Sequence, residues 1–299
     1  MRGAFKRLGV AAAACALAMG VAGGAQIAIA TSSGGDNSSL DETTRNSYTV
    51  QTFNETTFGT YEQDGNTSNG AEPIEWLVLG EQDSKTLLIS KYVLDAQPYA
   101  APVKGQPRWP EGSPRPTVVT EWADSALRTW LNGEFMDTAF NADEKSAIAT
   151  TLNTDTRNNA THTAATAADP SIHVAKESQD SVFVLSRMEA WKYFTSNAAR
   201  VAFPTEYALS KGVFTGIATD EHGQIDEERS GAAFWWLRSQ GYYAGYEAVV
   251  IDDGYVHGDG YRADGDVHDG FKDHGSNASA LGGNFGVRPC IWVDSSALA

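Results

Sequence analysis

Cysteine is almost missing from this chain: Cys15 and Cys290 are the two in 299 residues. Cys15 falls inside an N-terminal segment that reads as an export signal, so Cys290 stands alone in the mature part and no internal disulfide can staple it. Stability must come from packing. Cys290 lies in the apolar run Val287 to Val293 and reads as a small core residue rather than a reactive thiol. Positive charge is also in short supply, with 22 Lys and Arg against 38 Asp and Glu and a net charge of −16. A surface of that sign repels phosphate backbones, which argues against nucleic acid as a partner.

The signatures of common catalytic machines are missing too. There is no Gly-x-Ser-x-Gly elbow, no His-Glu-x-x-His helix, no Cys-x-x-Cys pair and no Gly-Lys-Ser/Thr phosphate loop. Gly258-Asp259-Gly260-Tyr261-Arg262-Ala263 imitates a dinucleotide fingerprint, but Asp264-Gly265-Asp266 follows where a helix should open. The leading expectation is therefore a non-catalytic binding module. Two rivals stay open: an extracellular hydrolase whose carboxylates converge only in space, or which uses a metal, and a structural envelope protein.

What is present begins with a leader of bacterial type. Arg2, Lys6 and Arg7 precede an uncharged, alanine-rich stretch from Leu8 to Ala30 that closes on Ala28-Ile29-Ala30, the small-x-small pattern of a cleavage site. Residues 1–30 are expected to be a signal peptide, making the protein secreted or envelope-associated, with no stable membrane span once it is removed. Left uncleaved, the stretch has the length of an N-terminal anchor. Residues 31–47 are rich in Ser, Gly, Asn, Asp and Thr, cannot repay the entropy of ordering, and read as a flexible polar tether. Residues 48–299 are expected to form one domain.

Within it, Glu75 to Leu79 and Thr86 to Ser90 read as adjacent strands around a turn at Gly80 to Lys85. Gln97 to Thr117 holds six prolines and reads as an irregular surface excursion. Leu127, Trp130 and Leu131 share a helical face that Gly133 should end. Asn141 with Glu144, and Ser186 with Glu189, make capping boxes for two further short helices, the second turning Ala190, Trp191 and Phe194 inward. Leu152 to Gln179 reads as a long loop. Phe234 to Arg238, Ala248 to Ile251, Tyr255 to His257 and Val287 to Val293 are short strand-like runs between Gly- and Asp-rich segments. Short antiparallel strands, a few short helices and long irregular loops make the expected class α+β.

Candidate site residues come from the last third. Trp235 and Trp236 alternate across a strand, so both lie in the core only if both faces are covered. Tyr242, Tyr243 and Tyr246 crowd a Gly-flanked segment beyond them, and aromatics beside Asp and Arg suit a glycan or a protein surface. Arg238 and Arg288 sit in apolar strands, where each should meet an internal carboxylate or, failing that, a ligand anion. The expected binding set is Trp236, Arg238, Tyr242, Tyr243, Tyr246 and Arg288. Asp252, Asp253, Asp259, Asp264 and Asp266 place oxygen donors on tight turns, as calcium requires, although Asp-Gly is equally the chemistry of hairpin turns. No other cofactor is expected.

Several of these segments also carry a family likeness. Phe58-Gly59-x-Tyr61-x-Gln63, Pro73-Ile74-Glu75-Trp76-Leu77-Val78-Leu79, Leu88-Ile89-Ser90-Lys91, Trp122-x-x-Ser125-x-Leu127-Arg128-x-Trp130-Leu131-Asn132-x-x-Phe135, Val182-Phe183-Val184-Leu185-Ser186, Pro204-Thr205-x-Tyr207-Ala208, Trp235-Trp236-Leu237-Arg238-Ser239 and Gly286-Val287-Arg288-Pro289 occur in order. Together, from about Gln51 to Val293, they resemble the bacterial family called domain of unknown function 6273, which has no established activity. The closing pattern, a Trp-Trp strand, a Gly-rich stretch and a Gly-Val-Arg strand, is similar to that of C-type-lectin-like folds, including formylglycine-generating enzymes, and implies such a fold. Formylglycine-type oxidation would need a cysteine pair, and the mature chain has Cys290 alone, so the resemblance does not bring that activity. Gln240 stands where the family usually has proline.

Overall fold

The computed structural model describes residues 51–100, 121–154, 176–217, 230–241, 246–262 (backbone only at 259–262) and 285–298. The expected signal peptide and tether lie outside these residues. The alternation around Trp76 and Leu88 yields a hairpin, β2 (Glu72–Gln82) and β3 (Lys85–Ser90). Its turn is tighter than Gly80 to Lys85: Gln82 still pairs with Lys85, and Asp83 and Ser84 alone make the bend, at φ 51° and 61°. Two positive φ values in a two-residue loop match the twist of the flanking strands. β1 (Glu55–Tyr61) flanks β2, while β13 (Cys290–Asp294) pairs with the other edge of β3. Two short strands, β5 (Ile148–Ala149) and β8 (Val182–Phe183), pair with β13 in turn, and every pairing in this sheet is antiparallel.

A second sheet runs in the order β11 (Val256–Arg262), β10 (Tyr246–Val250), β9 (Trp235–Gln240), β12 (Phe285–Val287), β4 (Asp95–Gln97). Only its β9–β12 pair is parallel, Gly286 facing Trp235. The run Val287 to Val293, expected as one strand, is thus two strands in two sheets. The break falls at Arg288-Pro289, because a proline has no N–H to continue a ladder. Pro289 still contributes its carbonyl, which accepts from Ser90 N–H at 2.9 Å.

The helical run does not stop at Gly133. α1 (Ala126–Trp130) passes through a π-helical turn, Leu131–Phe135, into α2 (Met136–Ala139). Leu127, Leu131, Phe135 and Ala139, four residues apart, are all buried, and this apolar face carries the helix past the glycine until Phe140 turns extended. Both capping boxes form, opening α3 (Ala142–Ala147) and α4 (Arg187–Tyr193), with Ala190 and Phe194 buried and Trp191 half-buried. Two four- to five-residue helices follow, α5 (Asn197–Arg200) and α6 (Glu206–Ser210). The segment expected as a loop from Leu152 to Gln179 is paired at its ends, β6 (Thr151–Asn153) against β7 (Ser178–Asp180); residues 155–175 lie outside the described set.

One hydrophobic cluster reaches from Phe58 to Val293 and joins residues of both large sheets with those of the helices. The class is α+β with a largely antiparallel sheet. Trp76, Trp122, Trp235 and Trp236 lie within the cluster, and each indole N–H is satisfied, by Phe58 O at 2.7 Å, Asp180 Oδ2 at 2.9 Å, Arg200 O at 3.2 Å and Gln97 O at 2.9 Å. An orphaned indole donor would cost about 1–3 kcal/mol, so these bonds keep the aromatic burial favourable. Cys290 is a buried free thiol, pushed well above the usual thiol range by that burial. Among the described residues no helix is long and apolar enough to cross a membrane.

Candidate functional site

The residues expected to bind ligand scatter. Trp236 is wholly buried, its ring packed at 4.7 Å on Phe285 and 5.4 Å on Tyr99, because both faces of β9 are covered; it presents nothing to a ligand. Arg288 is buried at the crossing between the sheets, and among the described residues it meets no carboxylate. Its Nε donates to Ser90 O at 3.0 Å, Nη2 to Lys91 O at 3.4 Å, and its guanidinium lies 4.9 Å from the Trp235 ring and 5.6 Å from Phe194. Burial lowers its pKa to about 10. Here aromatic faces and carbonyls replace the expected internal acid. Tyr246 opens β10 half-buried, and Tyr242 and Tyr243 lie outside the described residues.

Asp252 and Asp253 belong to the turn joining β10 to β11. Asp253 Oδ1 accepts the Tyr255 N–H at 2.8 Å, Gly254 takes φ +81°, and its N–H closes on Ile251 O at 2.9 Å. That is the hairpin use of Asp-Gly. Asp259 falls within β11, while Asp264 and Asp266 lie outside the described residues.

Two concave features emerge instead. The larger is an open groove of about 900 Å³ where β1 and the start of β2 face Tyr92 and the segment Pro204 to Glu206. It is assembled by long-range backbone bonds: Val93 N–H to Phe203 O, Thr205 N–H to Val93 O, and Tyr207 N–H to Gln63 O. Glu55, Asp64, Glu72, Glu75 and Glu206 line it. Lys91 ties Glu55 at 2.7 Å and Glu75 at 2.8 Å, and those hydrogen bonds raise its own pKa. At one end Glu62, Asp64 and Glu72 bring oxygens within 4.8 Å of one another, the donor type and spacing an oxygen-ligated cation would use. They also brace their own turn: Glu72 Oε2 accepts Gln63 N–H at 2.7 Å, and Asp64 accepts from Asn69 and Asn66, which holds its carboxyl low. Glu62 is raised by desolvation and then by its neighbours Asp64 and Glu72.

The smaller feature is a partly enclosed cavity of about 310 Å³ beside α4 and β6. Arg238, nearly buried, is part of its wall; Nη1 donates to Val184 O at 2.9 Å and pairs with Glu189, the internal carboxylate expected for it. Burial by itself raises Glu189, but the charge and hydrogen bond of Arg238, with the amide and hydroxyl of Ser186, outweigh it and hold the carboxyl below its usual range. A depressed folded-state pKa stabilises the fold above the ordinary value of 4.5 and loses that contribution as pH falls through the folded value. Glu189→Gln should therefore lower the thermal midpoint at neutral pH and flatten its fall below about pH 4.5. Parallel midpoint-against-pH curves for the two proteins would contradict this.

A family model described as Domain of unknown function (DUF6273) matches residues 83–295. The chain belongs to the DUF6273 family. No curated protein and no solved structure matches it significantly. The DUF6273 match starts at residue 83, later than the likeness read back to Gln51. It takes in Tyr92 and Pro204 to Glu206, and it takes in the Glu189–Arg238 pair, whereas β1 and all of β2 precede it. The groove was not anticipated as a site, yet Gln63, Pro73, Glu75, Pro204 and Thr205 on its walls all stand in segments read from the sequence as resembling the family, and Pro204 and Thr205 fall within the matched residues. Those segments were the available signal.

Proposed function

We propose that this protein is a non-catalytic binding module, secreted or held at the envelope, that lays an extended glycan in the groove between β1–β2 and Tyr92. The observation that carries the reading is the groove itself: some 900 Å³ of open concavity combining carboxylates, the Gln63 amide, threonine hydroxyls and a half-buried tyrosine. Carboxylates and the carbonyl oxygen of the Gln63 amide, whose nitrogen is held by Glu72 O and Pro73 O, accept from paired hydroxyls, and an aromatic face stacks on the apolar side of a sugar ring. A C-type-lectin-like architecture is the finer reading of the fold, supported by the Trp-Trp strand and the Gly-Val-Arg strand being hydrogen-bonded neighbours. The leader, a basic start followed by an uncharged stretch with a small-x-small end, supports placement outside the cytoplasm.

A second reading is a basic protein segment, favoured by five carboxylates in the groove with Lys91 as the cation beside them. Probing the full chain against glycan and peptide arrays separates the two. A glycan ligand should survive moderate salt and weaken about tenfold, roughly 1.4 kcal/mol, in Tyr92→Ala. A basic peptide should weaken with salt and in Glu206→Gln. Silence on both arrays, or binding indifferent to both substitutions, overturns the proposal.

A further inference from the structure

We infer that the cavity beside α4 binds a small carboxylate with an apolar body, at a site separate from the groove. About 310 Å³ lies at the small end of ligand cavities, room for a ligand of amino-acid size rather than a polymer. Its charge balance is unusual for this chain. Arg238 and Lys192 line it with Glu189 as the acid. Glu189 is committed to Arg238 and to the Ser186 amide. Lys192, one helical turn beyond Glu189, makes no ion pair among the described residues, and its ammonium sits 5.0 Å from the Tyr193 ring. Among the described lining residues one positive charge is left over, in a chain whose net charge is −16.

In a partly enclosed space that surplus is screened less than on open surface, so it favours a single anion. The rest of the wall selects among anions. Phe183, Trp292 and Leu87 supply apolar surface at the same cavity, which a bare inorganic ion would leave unfilled. A dianionic phosphate would bring one charge too many. An amine of the same shape would meet Lys192 and Arg238 with the wrong sign. A monocarboxylate with an aromatic or branched aliphatic tail satisfies both halves.

Phenylacetate is the probe, with 2-phenylethylamine and 2-phenylethanol as controls of matched shape, titrated calorimetrically into the full chain. Phenylacetate should bind, and the amine and the alcohol should bind at least tenfold more weakly. Lys192→Gln, at a partly exposed position, should weaken phenylacetate at least fivefold with the thermal midpoint of the free protein unchanged. No binding of phenylacetate up to millimolar concentration, equal binding of the amine, or undiminished affinity in Lys192→Gln would each overturn the inference. Because neither probe nor substitution touches the groove, failure here leaves the glycan reading standing, and the reverse holds too.

Discussion

Replacing Asp180 by alanine is expected to cost the fold about 3–5 kcal/mol, the range for removing one partner of a buried, hydrogen-bonded charge. Asp180 is fully buried at the end of β7 and gathers four donors from four places. Oδ2 accepts Trp122 Nε1 at 2.9 Å, Asn153 Nδ2 at 2.7 Å and Ser178 Oγ at 2.6 Å, while Oδ1 accepts Arg128 Nε. Alanine would leave all four donor atoms without this acceptor, including a buried indole N–H and the Nε of a guanidinium that keeps its bonds to Ala123 O and Gln179 O and has only 26% of its side chain exposed. Asparagine should rescue little, since it keeps one acceptor oxygen and turns N–H groups toward existing donors. Urea denaturation followed by tryptophan fluorescence measures the loss. A stability within about 1 kcal/mol of wild type would refute the view that this carboxylate anchors α1 to the β6–β7 ribbon.

Gly254→Ala is expected to be nearly as damaging, at about 4 kcal/mol. A Cβ there would stand 1.9 Å from the Asn197 carbonyl oxygen, on backbone held at φ +81°. Left-handed strain and overpacking each contribute about 1–3 kcal/mol. The contact cannot relax freely, because Arg200 on the same helix donates through Nε to Gly254 O at 2.8 Å. Gly212 is the control: its φ is +80° but nothing lies within 4 Å of where a methyl group would stand, so Gly212→Ala should cost only the backbone share, about 1 kcal/mol. Equal losses at the two glycines would show that crowding against Asn197 is not what matters.

Local chemistry was readable in the residues, and long-range assembly was not. The two capping boxes are reciprocal bonds within four residues, and both occur where Asn141-x-x-Glu144 and Ser186-x-x-Glu189 stand. The β2–β3 hairpin and the Trp-Trp strand follow from alternation over a few positions. Gly133 misled because a glycine ends a helix only when no apolar face continues beyond it, and Phe135 and Ala139 continue this one. Trp236 was expected to meet a ligand because alternation tells which face a side chain takes but not whether that face is covered, and the acid expected for Arg288 is replaced by carbonyls and aromatic rings brought in from other elements. The groove depends on Gln63, Tyr92 and Thr205 meeting across long stretches of chain, a fact no local period encodes. Among the described residues, Arg238 is the expected site residue that lines one of the two concavities, paired with an internal carboxylate as expected.

The placement of β13 has a bearing on the order of assembly. A strand from the far end of the chain is wedged between β3 on one side and β5 and β8 on the other, and the three residues before Arg288 complete the neighbouring sheet. Neither sheet is complete until residues 285–294 have joined it, so both closures wait on contacts between segments far apart in sequence and are expected to be late steps of folding. Under the export proposed above, a chain threaded through a narrow translocation channel gains from such a late latch, since it locks only once residues 285–294 have emerged to join β3 and β9.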